Sequence, residues 1–210
     1  MKSTAIKIVL LAILPLLFAF NLNTKIKSLP IGKKAPMTEH KMKAVSGHDF
    51  SILDLKQENG ILVIFSCNTC PFVKGNDEMD GWENRYNEIY ESCKLQKIGM
   101  VIVNSNEAKR DLDDSFTEMQ KHSRDKKYDA PYVMDKNHIL ADAFGASTTP
   151  HVFLFDNKLK LAYKGAIDDN VRSEKGVKQK WLEKAIINLG KGTKIDPSET
   201  RNSGCSIKRL

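Results

Sequence analysis

Four cysteines occur in 210 residues, and two of them stand three positions apart in Ile64-Phe65-Ser66-Cys67-Asn68-Thr69-Cys70-Pro71-Phe72-Val73-Lys74. A C-x-x-C pair holds a metal, attaches a haem or cycles between dithiol and disulfide. Haem attachment needs a histidine directly after the second cysteine, where this chain has Pro71. Structural zinc needs four ligands, and neither Cys93 nor Cys205 has a partner at ligand spacing. Copper(I) suits soft thiolates with one imidazole, which makes Cys67, Cys70 and His151 a ligand set to weigh. Disulfide exchange needs only the two thiols and a means of ionising one of them.

The flanking residues supply that means. Ile61 to Ser66 is a short apolar, β-rich run, the pattern of a strand buried on both faces. Pro71 suits the first turn of a helix, where a missing N–H leaves nothing unpaired. From Pro71 to Cys93, the residues Trp82, Tyr86, Ile89, Tyr90 and Cys93 fall on one helical stripe. The C-x-x-C loop is therefore expected between a buried strand and a helix N-terminus, where free N–H groups and the helix dipole favour a thiolate. Cys67, nearer the loop tip, is the expected nucleophile with a pKa below the free value, and Cys70 the resolving thiol. Cys93, on the apolar stripe, reads as an inert buried thiol. Lys74 reads as a solvated lysine, Trp82 and Trp181 as core, and Asp168 and Asp169 as turn caps rather than proton acceptors. Cys205 lies in a polar tail with no packing reason to be there, so a third redox thiol and an exposed bystander stand side by side.

Further along, residues 97–105 (KIGMVIVNS) read as a second buried strand, and RDLDDSFTEMQKHSRD as a helix. Residues 131–135 (PYVMD) read as a short strand, and NHILADAFG as a short helix closed by Gly145. HVFLFD and KLKLAYKG flank Asp156-Asn157 and read as a β-hairpin; Val177 to Leu189 is an amphipathic helix. Residues 50–55 (FSILDL) alternate like an edge strand. This order describes an α/β layer domain with a mixed central β-sheet flanked by helices, parallel in its first part and antiparallel at the hairpin.

The strand–C-x-x-C–helix unit, joined to Thr148-Thr149-Pro150-His151-Val152-Phe153-Leu154-Phe155-Asp156, resembles the thioredoxin superfamily, and within it the redoxin or peroxiredoxin-like (AhpC/TSA-type) branch. The resemblance runs from about residue 30 to 208. It implies a thioredoxin-like fold and a thiol–disulfide oxidoreductase. It also implies a cis-proline at Pro150, with Thr149 and Pro150 as a backbone shelf for substrate, and a family glycine at Gly165. No cofactor or resident metal is implied, and the partner would be a protein or small-molecule thiol or disulfide. Two departures limit the carry-over. Asn68-Thr69 replaces the Gly-Pro of thioredoxin, so redox potential does not transfer. A peroxiredoxin would carry threonine three residues before its peroxidatic cysteine, and Ile64 stands there. Thiol peroxidase is the third reading, after disulfide exchange and a copper-binding chaperone.

Composition agrees with a globular domain: 41% of residues are hydrophobic and 28% charged. The net charge of +7 comes from basic residues interleaved with acidic ones, without a basic stripe, so no nucleic-acid partner is expected. Lys2 and Lys7 precede an apolar run from Ile8 to Phe20 that is short for a membrane span, which takes about 20 residues. It reads as a secretory signal in residues 1–23, or as an uncleaved anchor in which residues 8–20 tether the protein to a membrane. Residues 24–46 then form a linker or N-terminal extension, 47–192 the thioredoxin-like domain and 193–210 a tail. The expected location is periplasmic or otherwise extracytoplasmic, where disulfide chemistry is at home.

Overall fold

The computed structural model describes residues 27–210; the expected signal, and with it the tether at residues 8–20, lies outside them. In chain order the elements are β1 (Met42–Ala44), β2 (Asp49–Phe50), α1 (Ile52–Leu55), β3 (Gly60–Ser66), α2 (Pro71–Lys74), α3 (Tyr86–Leu95), β4 (Ile98–Asn104) and α4 (Phe116–Asp125). They continue with β5 (Tyr132–Met134), α5 (Ile139–Phe144), β6 (Thr148–Thr149), β7 (His151–Asp156), β8 (Leu161–Gly165), α6 (Trp181–Gly190) and β9 (Cys205–Ser206). One sheet has the order β2-β1-β5-β4-β3-β7-β8, with β3, β4 and β5 parallel and β7, β8 and β1 antiparallel to their neighbours.

The apolar runs become central strands because both of their faces are covered. Leu62 and Ile64 of β3 join Ile89 and Cys93 of α3 and Leu182 and Ile186 of α6 on one side. Ile61, Val63 and Phe65 point the other way, into Ile52 of α1 and Leu140 and Phe144 of α5. A strand alternates its side chains, so an uninterrupted apolar run is what two covered faces demand. This is the thioredoxin-like architecture, with the C-x-x-C loop at the carboxyl end of β3.

Several local expectations gave way to stronger local chemistry. FSILDL does not continue as a strand after Phe50, because Ser51 and Asp54 form a reciprocal capping box: Ser51 Oγ accepts the Asp54 N–H at 3.2 Å and Asp54 Oδ2 accepts the Ser51 N–H at 2.7 Å. The long helix expected from Pro71 stops after four residues. Gly75 and Gly81 adopt φ of 79° and 71°, and a Cβ at Gly81 would lie 2.4 Å from the Val73 carbonyl oxygen. These glycines turn the chain before α3 begins at Tyr86. The last two long helices start later than their apolar stripes suggest, at Phe116 behind the Ser115 cap and at Trp181.

The domain also extends past the expected boundaries. Within residues 24–46, Leu29 donates to Phe144 O, Gly32 to Leu161 O, and β1 pairs with β5, so the described part of the presumed linker is sheet and packing. At the other end Ile207 is buried in the core, and β9 pairs with β6. Polar composition made the first segment read as a linker and the second as a tail, and backbone N–H groups of both find partners on the domain.

Candidate functional site

Cys67 follows the last residue of β3, and Cys70 is the N-cap of α2 with Pro71 at the first helical position. Cys67 Sγ accepts the Cys70 N–H at 3.3 Å and lies 3.2 Å from Thr149 Oγ1. When protonated, Cys70 donates to the Thr149 carbonyl oxygen at 3.2 Å. The Thr149–Pro150 peptide bond is cis, and Thr149 touches both sulfurs.

A buried polar network holds the loop from behind. Asp114, fully buried, accepts the Asn68 N–H at 2.8 Å, Asn104 Nδ2 at 2.7 Å and Asn106 Nδ2 at 3.0 Å. Tyr132 Oη donates to Asn68 Oδ1 at 2.8 Å and receives Asn104 Nδ2 at 2.9 Å. A buried carboxylate is tolerated only with such partners. Sequence reasoning passed over this network. Its one signal is Asn104 and Asn106, amides placed directly where an apolar strand ends.

The thiol expected to be accessible is not. Cys67 is 1% exposed and Cys70 3%. Cys67 is pushed well above the ordinary thiol range, because its S–H donates to Cys70 and because it is buried, near the Asp114 carboxylate. Cys70 is held down at about 5 by the Cys67 S–H, against burial and with help from the side chain and N–H of Cys205. These hydrogen bonds favour the thiolate on Cys70 over Cys67, where the sequence expectation had Cys67 as the low-pKa member. The physical reason is that α2 has only four residues and little dipole to offer, so discrete hydrogen bonds decide which sulfur ionises.

Cys205 stands beside the pair. Its N–H points to Cys70 Sγ at 3.4 Å, and it packs on the cluster of Cys67, Cys70 and Val73. Burial and the neighbouring Cys70 raise its own pKa to about 11. The remaining candidates lie apart from this chemistry. His151 is buried against Phe153, accepts the Ser147 N–H on Nδ1 at 3.3 Å, and is pushed down to about 3 by burial and by Lys164. It brings no imidazole to the thiols, and among the described residues no three His, Cys, Asp or Glu side chains are grouped to hold a metal. Cys93 is buried in the core, where burial raises its pKa. Asp168 accepts Trp82 Nε1 at 2.8 Å and pairs with Arg85 away from the dithiol; Asp169 accepts the Lys178 N–H at 2.9 Å. Lys74 is exposed.

The AhpC/TSA family model matches residues 31–164, well over half of the chain. The chain belongs to the AhpC/TSA family. Among solved structures it is similar to an uncharacterized conserved protein from Geobacillus kaustophilus, at 29% identity and TM-score 0.76, over 86% of this chain and 93% of that one. It is likewise similar to a hypothetical protein from Sinorhizobium meliloti 1021, at 26% identity and TM-score 0.77, over 88% and 97% of the two chains. A secreted disulfide oxidoreductase of Mycobacterium tuberculosis, homologous to E. coli DsbE, shares the fold at 10% identity and TM-score 0.50, over 71% and 96%. A search of curated proteins finds no match. The family's thioredoxin-like, redoxin character agrees with the mixed sheet and with the position of the loop at its carboxyl edge.

Proposed function

We propose that the protein is a thiol–disulfide oxidoreductase acting outside the cytoplasm through Cys67 and Cys70. The observation that carries this reading is the pair itself: two cysteines joined by the Cys70 N–H to Cys67 Sγ hydrogen bond, with both sulfurs contacting Thr149. A thiolate adjacent to a thiol is the reactive arrangement for forming and breaking a disulfide. Thr149 and Pro150 form the shelf beside the sulfurs, and β9 of this chain pairs along it.

Family membership brings peroxide reduction into view, but Ile64 occupies the position of the peroxidatic threonine, and the polar groups around Cys67 are those that hold the loop. The extracytoplasmic location rests on the apolar N-terminal run and on a secreted protein of the same fold. The copper reading has lost its histidine to the packing against Phe153.

The test is equilibration of the protein with glutathione redox buffers, followed by non-reducing peptide mapping and by an insulin disulfide-exchange assay. The expected result is a reversible Cys67–Cys70 disulfide and catalysed exchange that Cys70→Ser abolishes. Absence of that disulfide, or hydrogen peroxide consumption that outpaces exchange, would overturn the reading.

A further inference from the structure

We propose that Cys205 is the entry thiol of this centre, and that exchange with external dithiols and disulfides runs through a Cys70–Cys205 disulfide carried on a C-terminal strap. The inference rests on Cys67 and Cys70 being a redox pair and adds the route by which a partner reaches them.

The strap is fastened on both sides of Cys205. Upstream, Thr200 donates its N–H to Lys164 O at 3.0 Å, and its Oγ1 meets Tyr163 Oη at 2.8 Å. Downstream, Ile207 is buried and donates to Ser147 O at 3.1 Å, and Arg209 reaches Ala146 O at 2.6 Å. Between these anchors β9 runs antiparallel to β6, with Cys205 opposite Thr149. Gly204 permits the close approach, since a Cβ there would lie 2.3 Å from the Thr149 carbonyl oxygen.

Two consequences follow for any partner. The Thr149 edge, where an extended substrate would pair, is already taken by β9. The sulfurs of Cys67 and Cys70 are closed off beneath it, whereas Cys205 is half-buried and is the most solvent-exposed thiol of the cluster. A disulfide cannot be exchanged with a sulfur that no partner sulfur can reach. Cys205 touches both environments, with its N–H on Cys70 Sγ and its flank toward solvent.

The exchange balances without another redox group. In the oxidised protein, where Cys70 carries no charge to oppose it, Cys205 gives up its proton and attacks Cys70 Sγ. A Cys70–Cys205 bond forms, the Cys67–Cys70 bond breaks, and Cys67 keeps the electron pair and takes the proton that Cys205 gave up. A thiolate of an external dithiol then attacks Cys205 Sγ, giving a mixed disulfide and releasing Cys70 as a thiolate, its favoured form. The partner's second thiol displaces Cys205. The partner leaves as a disulfide, and the protein holds three thiols and the two electrons. Reduction of an external disulfide is the same sequence run backwards.

The first experiment oxidises the full-length Cys67→Ser variant with diamide and maps its peptides without reduction. A Cys70–Cys205 disulfide is expected, and finding both cysteines free or carrying only external adducts overturns the inference. The second measures exchange of Cys205→Ser with a protein dithiol such as reduced thioredoxin. The Cys67–Cys70 disulfide should still form with a small oxidant, while exchange with the protein falls by about tenfold or more, because access limits the rate. An unchanged or faster rate would make the tail a cover alone and defeat the relay. Failure of the wild-type protein to form Cys67–Cys70 at all would instead remove the underlying dithiol reading, so the two failures are distinguishable.

Discussion

Replacing Cys70 with serine should flatten the dependence of folding stability on pH in the fully reduced protein. Cys70 has a folded-state pKa of about 5 against an ordinary value of 9.0. A depressed pKa contributes stability above the unfolded value, and that stability is lost as pH falls through the folded value. At pH 7 the folded thiol lies two pH units above its pKa and the unfolded thiol two below its own, a linkage contribution of about 3 kcal/mol. Near pH 4, below both values, the contribution is close to zero. Cys67, raised above 9.0, changes stability only as pH rises through the unfolded value, so it is silent in this window. His151, lowered to about 3, does lose stability below its unfolded value of 6.5, but equally in both proteins, so it cancels in the difference. The assay is urea unfolding of the wild type and of Cys70→Ser in a phosphine reductant at pH 4, 5.5 and 7. The stability change across the series should be smaller in the variant by about 2 to 3 kcal/mol. Parallel curves would refute the assignment of the charge. So would a thiolate absorbance step near pH 5 at 240 nm that persists in Cys70→Ser and disappears in Cys67→Ser.

Three further outcomes follow from the contacts around the pair. Thr149→Ala removes a hydroxyl that favours ionisation of both cysteines, so the thiolate absorbance step should move to higher pH. Asp114→Ala strands the Asn68 N–H and the amides of Asn104 and Asn106, and should cost about 3 kcal/mol or more by urea unfolding. Gly165→Ala places a Cβ 2.2 Å from Thr200 Oγ1 at a φ of 135°, so it should loosen the strap and speed tryptic cleavage after Arg201.

The fold was largely legible in the amino-acid order because its signals are local. The run Ile61 to Ser66 could only be a strand covered on both faces, and the hairpin around Asp156-Asn157 announced itself by its turn. The pairing of Cys67 with Cys70 is covalent spacing, and Thr149-Pro150 stood out within a motif. Other local signals conflicted, and chemistry decided between them: the Ser51–Asp54 box overrode strand alternation, and Gly75 and Gly81 cut a helix that the apolar stripe would have continued.

What the amino-acid order could not carry was the environment of each sulfur. A pKa depends on every donor, charge and layer of burial around the atom, and these come from segments far away in the chain. Cys67 gains its Thr149 and Asp114 neighbours from residues 82 and 47 positions later, and Cys70 gains the Cys205 N–H from 135 positions later. The amino-acid order therefore set Cys67 and Cys70 three positions apart but not the donors around each sulfur, and it left Cys205 in a polar tail with two readings side by side. Tertiary structure supplied those donors and placed Cys205, because the backbone of residues 205–206 had an edge strand to pair with, and that pairing set a third thiol against Cys70.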